Sequence, residues 1–401
     1  MTQQQIHHRI VIIGGGNAGI AVAAQLTKRG ESDIAIIDPA ETHYYQPLWT
    51  LVGGGCAQIE KSARKQEDVI PKGVRWYQYA AVGIDPDQRI VTLDQDRSIK
   101  YDVLVVAPGI QLDWHKIPGL SDAVWSNSGS SNYDAVLAPK TWELIKRTKR
   151  GTAVFTQPSG PIKCAGAPQK IAYLAADYWR RQGVLDNIRI VLVLPTPGLF
   201  GVPVFADALR KVVEEYGIEV QFSSEVVEFD AARQLAIVRD NIADSKQSIE
   251  YDMVHAVPPQ SAPDWLAGTS LAGAADPNGY VEVDKHSLQH VRYPEVFALG
   301  DAGSTPNSKT GAAIRKQAPV VVANIQDQLA NRGISASYNG YAGCPLTTSR
   351  NRMLLAEFDY SMTPTPSIPG LDLTKPRRDM WLLKKYGLPT LYWNAIVKGR
   401  L

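Results

Sequence analysis

Cysteine is scarce in this chain. Only three occur among 401 residues, Cys56, Cys164 and Cys344. So few cysteines in a large chain argue against a disulfide framework and favour thiols with individual chemical roles. The seven histidines show no metal-ligand spacing with each other or with the cysteines, so the sequence predicts no metal site.

Long apolar runs and a strong net charge are also missing. No apolar run is long enough to span a bilayer. The formal net charge is +2, without a long basic run or a basic-aromatic array, which argues against nucleic acid as a partner. The polar stretch from Met1 to His8 leads directly into the first predicted strand, so no signal peptide is expected. The composition is typical of a globular chain with two or three domains.

The chain reads as two halves with one plan. Strands are predicted at 9–13, 34–37 and 101–109 in the first half, and at 152–155, 188–194 and 251–259 in the second. This repetition predicts an α/β fold of two Rossmann-like dinucleotide-binding domains, followed by a C-terminal membrane-binding segment. The predicted domains are residues 1–112 with 286–335, residues 113–285, and residues 336–401.

The first half carries a dinucleotide-binding fingerprint. Gly14 permits a tight strand-to-helix turn, Gly16 lets a pyrophosphate approach the backbone, and Gly19 lets the helix pack closely on the sheet. Asp38 ends the second strand, where a carboxylate binds ribose hydroxyls. The predicted cofactor-binding residues of this half are Gly14, Gly16, Asn17, Ala18, Gly19, Asp38, Pro47, Ala107 and Gly109.

A downstream segment, residues 296–303, favours FAD over NAD. It places Asp301 after a buried strand, in a pattern that resembles the FAD-binding segment of flavoproteins with two dinucleotide domains. The helix predicted from Gly311 to Leu329 would direct its N-terminus at the isoalloxazine ring and stabilise negative charge there. Lys309 has two interpretations, a second positive charge at the ring or a solvated loop lysine. The cofactor contacts predicted here are Gly300, Asp301, Lys309 and Gln317.

The second half lacks two of these features. Residues 156–170 replace the glycine loop, and Leu194 stands where the ribose-binding acid would be, so tight NAD(P)H binding is not expected. The replacement loop contains Cys164 ahead of a predicted helix. The helix N-terminus and the neighbours Lys163 and Lys170 should stabilise its thiolate.

Cys344 is the natural partner of Cys164, since it too is predicted in an irregular stretch, residues 338–346. Spacing alone does not establish a pair across 180 residues. Cys56 follows three glycines and is assigned a structural or incidental role.

At these positions the chain resembles the sulfide:quinone oxidoreductases, including those of mitochondria, over nearly its whole length. The resemblance depends on residues 45–53, 161–170, 308–313, 341–345 and 355–360. It implies that Cys164 and Cys344 are the two redox cysteines. Some relatives carry a third cysteine between the two domains. Residues 110–150 contain none, which favours non-covalent FAD.

The resemblance implies that hydrosulfide attacks a Cys164–Cys344 disulfide or trisulfide. Sulfane sulfur would pass to glutathione, sulfite or sulfide, and electrons would pass through FAD to ubiquinone or another membrane quinone. Which cysteine carries the persulfide stays open, as does a homo-oligomeric state. The alternatives are a type II NADH:quinone reductase, a flavocytochrome sulfide dehydrogenase subunit and a non-enzymatic flavin–cysteine redox sensor.

The C-terminal stretch, residues 375–401, is basic and rich in Trp, Tyr and Leu. Gly387 and Pro389 are predicted to break it into two short amphipathic pieces. Such a composition suits a lipid headgroup region and predicts a peripheral protein of the bacterial inner membrane. The alternative is a basic arm packed on the protein's own core. On the first interpretation, removing residues 378–401 should impair membrane binding and quinone reduction but leave flavin reduction by sulfide intact.

Overall fold

The computed structural model describes residues 6–401. The strands are β1 (Ile6–Ile13), β2 (Ile34–Ile37), β3 (Thr42–Tyr44), β4 (Ala63–Lys65), β5 (Arg75–Tyr77), β6 (Ala81–Asp85), β7 (Ile90–Leu93), β8 (Arg97–Val106), β9 (Gln111–Leu112), β10 (Gly129–Ser130), β11 (Gly151–Thr156), β12 (Ile188–Val193), β13 (Glu219–Gln221), β14 (Ser224–Asp230), β15 (Leu235–Asp240), β16 (Lys246–Glu250), β17 (Met253–His255), β18 (Gln260–Ser261), β19 (Val296–Ala298), β20 (Ala342–Ser349) and β21 (Arg352–Phe358). The helices are α1 (Asn17–Lys28), α2 (Trp49–Gly53), α3 (Gln66–Val69), α4 (Leu120–Trp125), α5 (Leu137–Arg147), α6 (Ala167–Arg181), α7 (Pro203–Tyr216), α8 (Asp264–Ala267), α9 (Gly311–Leu329), α10 (Arg378–Leu382) and α11 (Leu388–Asn394).

The first half builds a sheet in the order β5-β2-β1-β8-β7-β6, with β19 also paired to β8. The central strands of this sheet are parallel: β5 pairs with β2, β2 with β1, β1 with β8, and β8 with β19. Both faces are buried, which explains the continuous apolar runs of β1 and β2. Ile10 and Ile12 face a core shared with α1 and α9, while Val11 and Ile13 face the opposite core. The carboxyl ends of these strands therefore meet at one edge, where α/β proteins bind ligands.

The second half repeats this plan with a parallel sheet in the order β10-β17-β11-β12-β13. Helices α6 and α7 contribute to the core on one face. Helix α4 and the antiparallel strands β14 and β15 contribute to the core on the other. The predicted α/β class with two Rossmann-like units is confirmed.

The return to the first half comes earlier than the predicted boundary at residue 285. Residues from Ala262 to Val283 pack against Val11 and Ile13 of β1, in the core on the side of the first sheet opposite α1 and α9. They therefore do not belong to the second sheet. Their single short helix, α8, gives the sequence too little periodicity to reveal this packing. Strands β9 and β18 pair with each other just before it, and we propose that the chain crosses between the two units there.

The C-terminal region begins with the antiparallel pair β20–β21 and ends in a helical segment, residues 378–394. Gly387 and Pro389 do not break this segment, contrary to the prediction. A π-helical turn at Leu383–Gly387 joins α10 to α11, and Pro389 lies in the first turn of α11, where a missing N–H is tolerated. No helix within residues 6–401 is both long and apolar enough to cross a membrane.

The helical segment packs one face against the first core through Trp381 and Tyr392. Its other face exposes Leu382, Tyr386 and Leu391. The interpretation of a C-terminal arm packed on the protein's own core therefore describes one face of this segment, and the other face is exposed.

Candidate active site

Four predicted cofactor-binding stretches lie together at the carboxyl edge of the first sheet. They follow β1, β2, β8 and β19, which end side by side. Gly14 has a φ of +100°, and a Cβ there would lie 2.2 Å from the carbonyl oxygen of Ala107. A Cβ at Gly19 would lie 1.9 Å from the carbonyl oxygen of Gly14. Both glycines are therefore required by close backbone contacts.

Gly16 differs because no atom lies within 4 Å of the position its Cβ would take. It is exposed and immediately precedes α1, so a phosphate can approach the helix N-terminus here. Asp38 accepts hydrogen bonds from Gly15 N through Oδ2 and from Ala40 N through Oδ1 at 2.8 Å. These bonds hold the carboxylate at the edge, and its remaining lone pairs suit ribose hydroxyls.

The opposite side of this edge is formed by the residues around Gln317. Its Oε1 accepts a hydrogen bond from Gly300 N at 2.9 Å, while its Nε2 is buried without a partner among the described residues. Asn17 donates to the carbonyl of Gly311 at 3.2 Å and has a similarly unpaired Oδ1. Pro47 approaches Gly311 within 3.5 Å of its Cβ position. The unpaired buried groups and the open cradle at Gly16 fit a dinucleotide as large as FAD.

Lys309 is not a solvated loop lysine. Its Nζ donates to the carbonyls of Asp301 at 2.8 Å and Gly303 at 2.9 Å, and lies 3.8 Å from the ring centre of Tyr280. Burial lowers the pKa of Lys309 to about 8, opposed by the charges of Asp301 and Asp276. The lysine is thus a buried donor at the predicted flavin edge.

Cys164 and Cys344 lie side by side although 180 residues separate them, with their Sγ atoms 3.8 Å apart. Cys164 lies in the loop between β11 and α6 with a φ of +54°, a strained value for a residue other than glycine. Its N–H donates to the carbonyl of Lys309 at 2.7 Å, which connects the thiol loop to the predicted flavin edge. The structure therefore places the predicted pair beside the predicted cofactor site.

Cys344 is not in a loop, contrary to the prediction. It lies on β20 opposite Ala356 of β21 and is only 3% exposed. The neighbouring Gly343 and Pro345 made the stretch resemble a turn. Proline is tolerated on this two-stranded sheet because each strand has a free edge.

Lys170 is the main charged neighbour of the pair. Its Nζ lies 2.9 Å from Cys164 Sγ, and the residue is 2% exposed. A hydrogen bond from the Cys344 thiol and the charge of Lys170 hold the pKa of Cys164 well below its usual value, against the effect of burial. The bond to Cys164 and burial raise the pKa of Cys344. Cys164 is therefore the thiolate of the pair and Cys344 the thiol.

Three contacts around the pair escaped the sequence reasoning. Tyr133 donates from its hydroxyl to the carbonyl of Lys163 at 3.0 Å. Lys163 donates from Nζ to Gln46 Oε1 at 2.8 Å. Lys384, from the C-terminal segment, donates to the carbonyl of Pro47 at 2.8 Å. Lys163 was expected to stabilise the Cys164 thiolate, but its Nζ is directed at Gln46. Tyr133 belongs to no recognisable motif, and Lys384 was one of several lysines in a basic stretch.

Cys56 and Leu194 contribute no polar group to this cluster. Cys56 packs against the first core and donates weakly to the carbonyl of Gly54, and burial raises the pKa of its thiol. Leu194 directly follows β12 and is fully buried in the apolar core of the second unit.

The fold is that of the pyridine nucleotide-disulphide oxidoreductases, and the profile of that family matches residues 8–155 and 162–320. The mitochondrial sulfide:quinone oxidoreductase of Mus musculus is 39% identical over 98% of this chain and 87% of its own length. That of Dictyostelium discoideum is also 39% identical, over 98% of this chain and 86% of its own. The chain therefore belongs to the sulfide:quinone oxidoreductase family.

The fold comparison agrees with this assignment. The crystal structure of the sulfide:quinone oxidoreductase from Aquifex aeolicus has a TM-score of 0.83 and 20% identity, and covers 98% of this chain and 92% of that one. The chain is an FAD-dependent flavoprotein, as predicted.

Proposed function

We propose that this protein oxidises hydrogen sulfide with a quinone as electron acceptor, and that Cys164 and Cys344 perform the sulfur chemistry. The supporting observation is the close pair of partly buried Cys164 and buried Cys344, with Lys170 2.9 Å from Cys164 and the Cys164 loop hydrogen-bonded to Lys309 at the predicted flavin edge. The absence of a ribose-binding acid after β12 disfavours NADH as the donor. A redox sensor would not need a sulfur acceptor, so turnover distinguishes it.

In the oxidised state the pair is linked directly or through one sulfur atom. In a disulfide, hydrosulfide attacks one sulfur, forms a persulfide on that cysteine and releases the other cysteine as a thiolate. In a trisulfide, the same attack on one cysteine sulfur releases the other cysteine as a persulfide anion. Lys170 stabilises the thiolate charge, which makes the departing sulfur a better leaving group. Cys164 is the thiolate favoured by its surroundings, so we assign the persulfide to Cys344.

Turnover requires removal of the sulfane sulfur and two electrons. An anionic acceptor, such as glutathione thiolate, sulfite or further sulfide, attacks the outer sulfur and leaves Cys344 as a thiolate. When bound, FAD supplies the two-electron acceptor that returns the pair to its linked state and passes the electrons to quinone. The chain's part is to hold both sulfurs within 4 Å of each other.

We propose that FAD is held without a covalent bond. The residues assigned to it are Gly14, Gly16, Asn17, Ala18, Gly19, Asp38, Pro47, Ala107, Gly109, Gly300, Asp301, Lys309 and Gln317. Ala18 belongs to this set because its Cβ lies 3.3 Å from the Cβ position of Gly300, across the edge. Lys309 would place its positive charge where the reduced ring becomes negative.

The test of this function is an anaerobic titration of the purified holoenzyme. We expect stoichiometric sulfide to bleach the flavin absorbance within seconds, and stoichiometric NADH to leave it unchanged over minutes. Adding a short-chain quinone should restore the absorbance after sulfide. Rapid bleaching by NADH with none by sulfide would instead identify an NADH:quinone reductase.

We also propose that the exposed face of the helical segment, Leu382, Tyr386 and Leu391, rests on the membrane surface and admits the quinone. The three side chains are 49%, 58% and 42% exposed. Tyr386 has the ammonium of Lys385 5.3 Å from its ring centre, a pairing that suits the headgroup region. A peripheral position on the bacterial inner membrane follows from this proposal.

Replacing Leu382, Tyr386 and Leu391 together by Ser should greatly weaken binding to vesicles of anionic phospholipid. Reduction of a long-chain quinone in those vesicles should fall, while reduction of a soluble short-chain quinone stays unchanged. The matched control replaces the exposed Val136, Ile242 and Val291, which lie elsewhere, by Ser. Equal cosedimentation of the two triple variants would contradict the membrane assignment.

A further inference from the structure

The C-terminal segment reaches into the redox site. Lys384 is 3% exposed, whereas Leu382 and Tyr386 beside it are on the surface. Side chains two positions apart face opposite sides of a helix, so Lys384 points inward where its two neighbours point outward. Lys384 lies in the π-helical turn at Leu383–Gly387. Such turns are frequent at functional sites. A buried lysine on a segment that otherwise packs through apolar side chains calls for a role.

Lys384 contacts the turn formed by Gln46–Leu48, and this turn also contacts the loop that carries Cys164. Its Nζ donates to the carbonyl of Pro47 at 2.8 Å. The adjacent Gln46 accepts from Lys163 at 2.8 Å, and Lys163 directly precedes Cys164. The C-terminal segment makes a second contact beside this turn, since the ring centres of Tyr45 and Tyr392 lie 4.4 Å apart. A continuous set of contacts thus runs from the C-terminal segment to Cys164.

The charge of Lys384 also acts at this site. The groups that influence it are Lys170 of α6, Cys164 of the thiol loop and Cys344 of β20. Burial and Lys170 lower the pKa of Lys384 to about 8, while the two cysteines oppose this. Tyr45, on the turn, stays neutral because burial raises its pKa.

We propose that Lys384 is a positioning residue through which the C-terminal segment controls the reactivity of the cysteine pair, by holding the Gln46–Leu48 turn and adding a buried positive charge near Cys164. This inference builds on the proposed function. Removing residues 378–401 would then impair membrane binding and also slow the sulfide reaction. The second effect is contrary to the expectation from sequence.

The test uses the holoenzyme with Lys384→Met, which keeps the length and loses the charge, Lys384→Gln, which keeps a donor, and Lys384→Arg, which keeps the charge. Two readouts are followed against pH, flavin bleaching by sulfide and the alkylation rate of Cys164 in the reduced enzyme. We expect Lys384→Met and Lys384→Gln to slow both reactions roughly tenfold near pH 7, which corresponds to a rise of about one unit in the pKa of Cys164. Lys384→Arg should retain most of the wild-type rate.

The pH profile separates charge from packing. Wild type loses the Lys384 charge above about pH 8, so its alkylation curve should meet that of Lys384→Met there. Lys375→Met, at an exposed lysine of the same C-terminal stretch that pairs with Asp372, should leave the Cys164 profile unchanged. Equal profiles for wild type and Lys384→Met at matched FAD content, or a slowing that is the same at every pH, would overturn the inference. If sulfide fails to bleach the wild-type flavin, the proposed function fails, and the alkylation profile still decides the role of Lys384.

Discussion

Replacing Cys164 or Cys344 by Ser should lower sulfide-dependent quinone reduction on the order of 10³-fold or more while the protein stays yellow. Each serine hydroxyl lacks the ability to form the sulfur–sulfur bond on which the proposed cycle depends. The two sulfurs, 3.8 Å apart, act as one unit, so the double variant should be no worse than either single one. The measurement is the steady-state rate with sulfide and a short-chain quinone.

Cys56→Ser is the matched control, since it removes the third cysteine from a site outside the pair. It should retain activity within about twofold. FAD content, measured after denaturation, should be the same in all three variants because the predicted flavin edge lies on the first sheet. Full activity in Cys344→Ser would contradict the pairing.

Much of this architecture was predictable because the chain repeats a strongly periodic plan. Helix α9 occupies the range predicted from sequence, 311–329, and helix α6 follows Cys164 as predicted. Parallel strands bring their carboxyl ends to one edge, so Gly14 and Asp301, which are distant in sequence, lie at the same edge of the sheet. Local pattern and sheet topology carried this part of the site.

The remaining features depend on tertiary contacts that leave no local signal. Cys344 belongs to a strand whose glycine and proline suggested a loop, and only the pairing with β21 defines it. Lys309 and Lys384 are buried because other segments cover them, while lysine in general is exposed. The C-terminal segment offered two interpretations, and the sequence alone did not show that one face packs on the core while the other face is exposed.

Lys170→Met should slow flavin reduction by sulfide about 100-fold near neutral pH. An opposite charge at close range lowers a thiol pKa by about one to three units, and loss of the ammonium 2.9 Å from Cys164 removes that effect. Burial, which opposes the thiolate, is then offset only by the Cys344 hydrogen bond and the charge of Lys384. The pKa of Cys164 rises, so the thiolate fraction at pH 7 falls and recovers as the pH increases.

The profile should therefore shift to higher pH, with most of the lost rate regained in alkaline buffer. The control is Lys211→Met on α7, an exposed lysine that should leave the profile unchanged.

Lys170 pairs with the thiolate, and its own pKa is raised by Cys164 and Cys344 despite burial, so wild type keeps this charge across the tested range. Lys384 differs, since it loses its charge above about pH 8. The two lysines thus predict distinct curves: the Lys170→Met profile stays below wild type well above pH 8, where the Lys384→Met profile has rejoined it. Coincident curves for Lys170→Met and wild type would show that the thiolate depends on some other group.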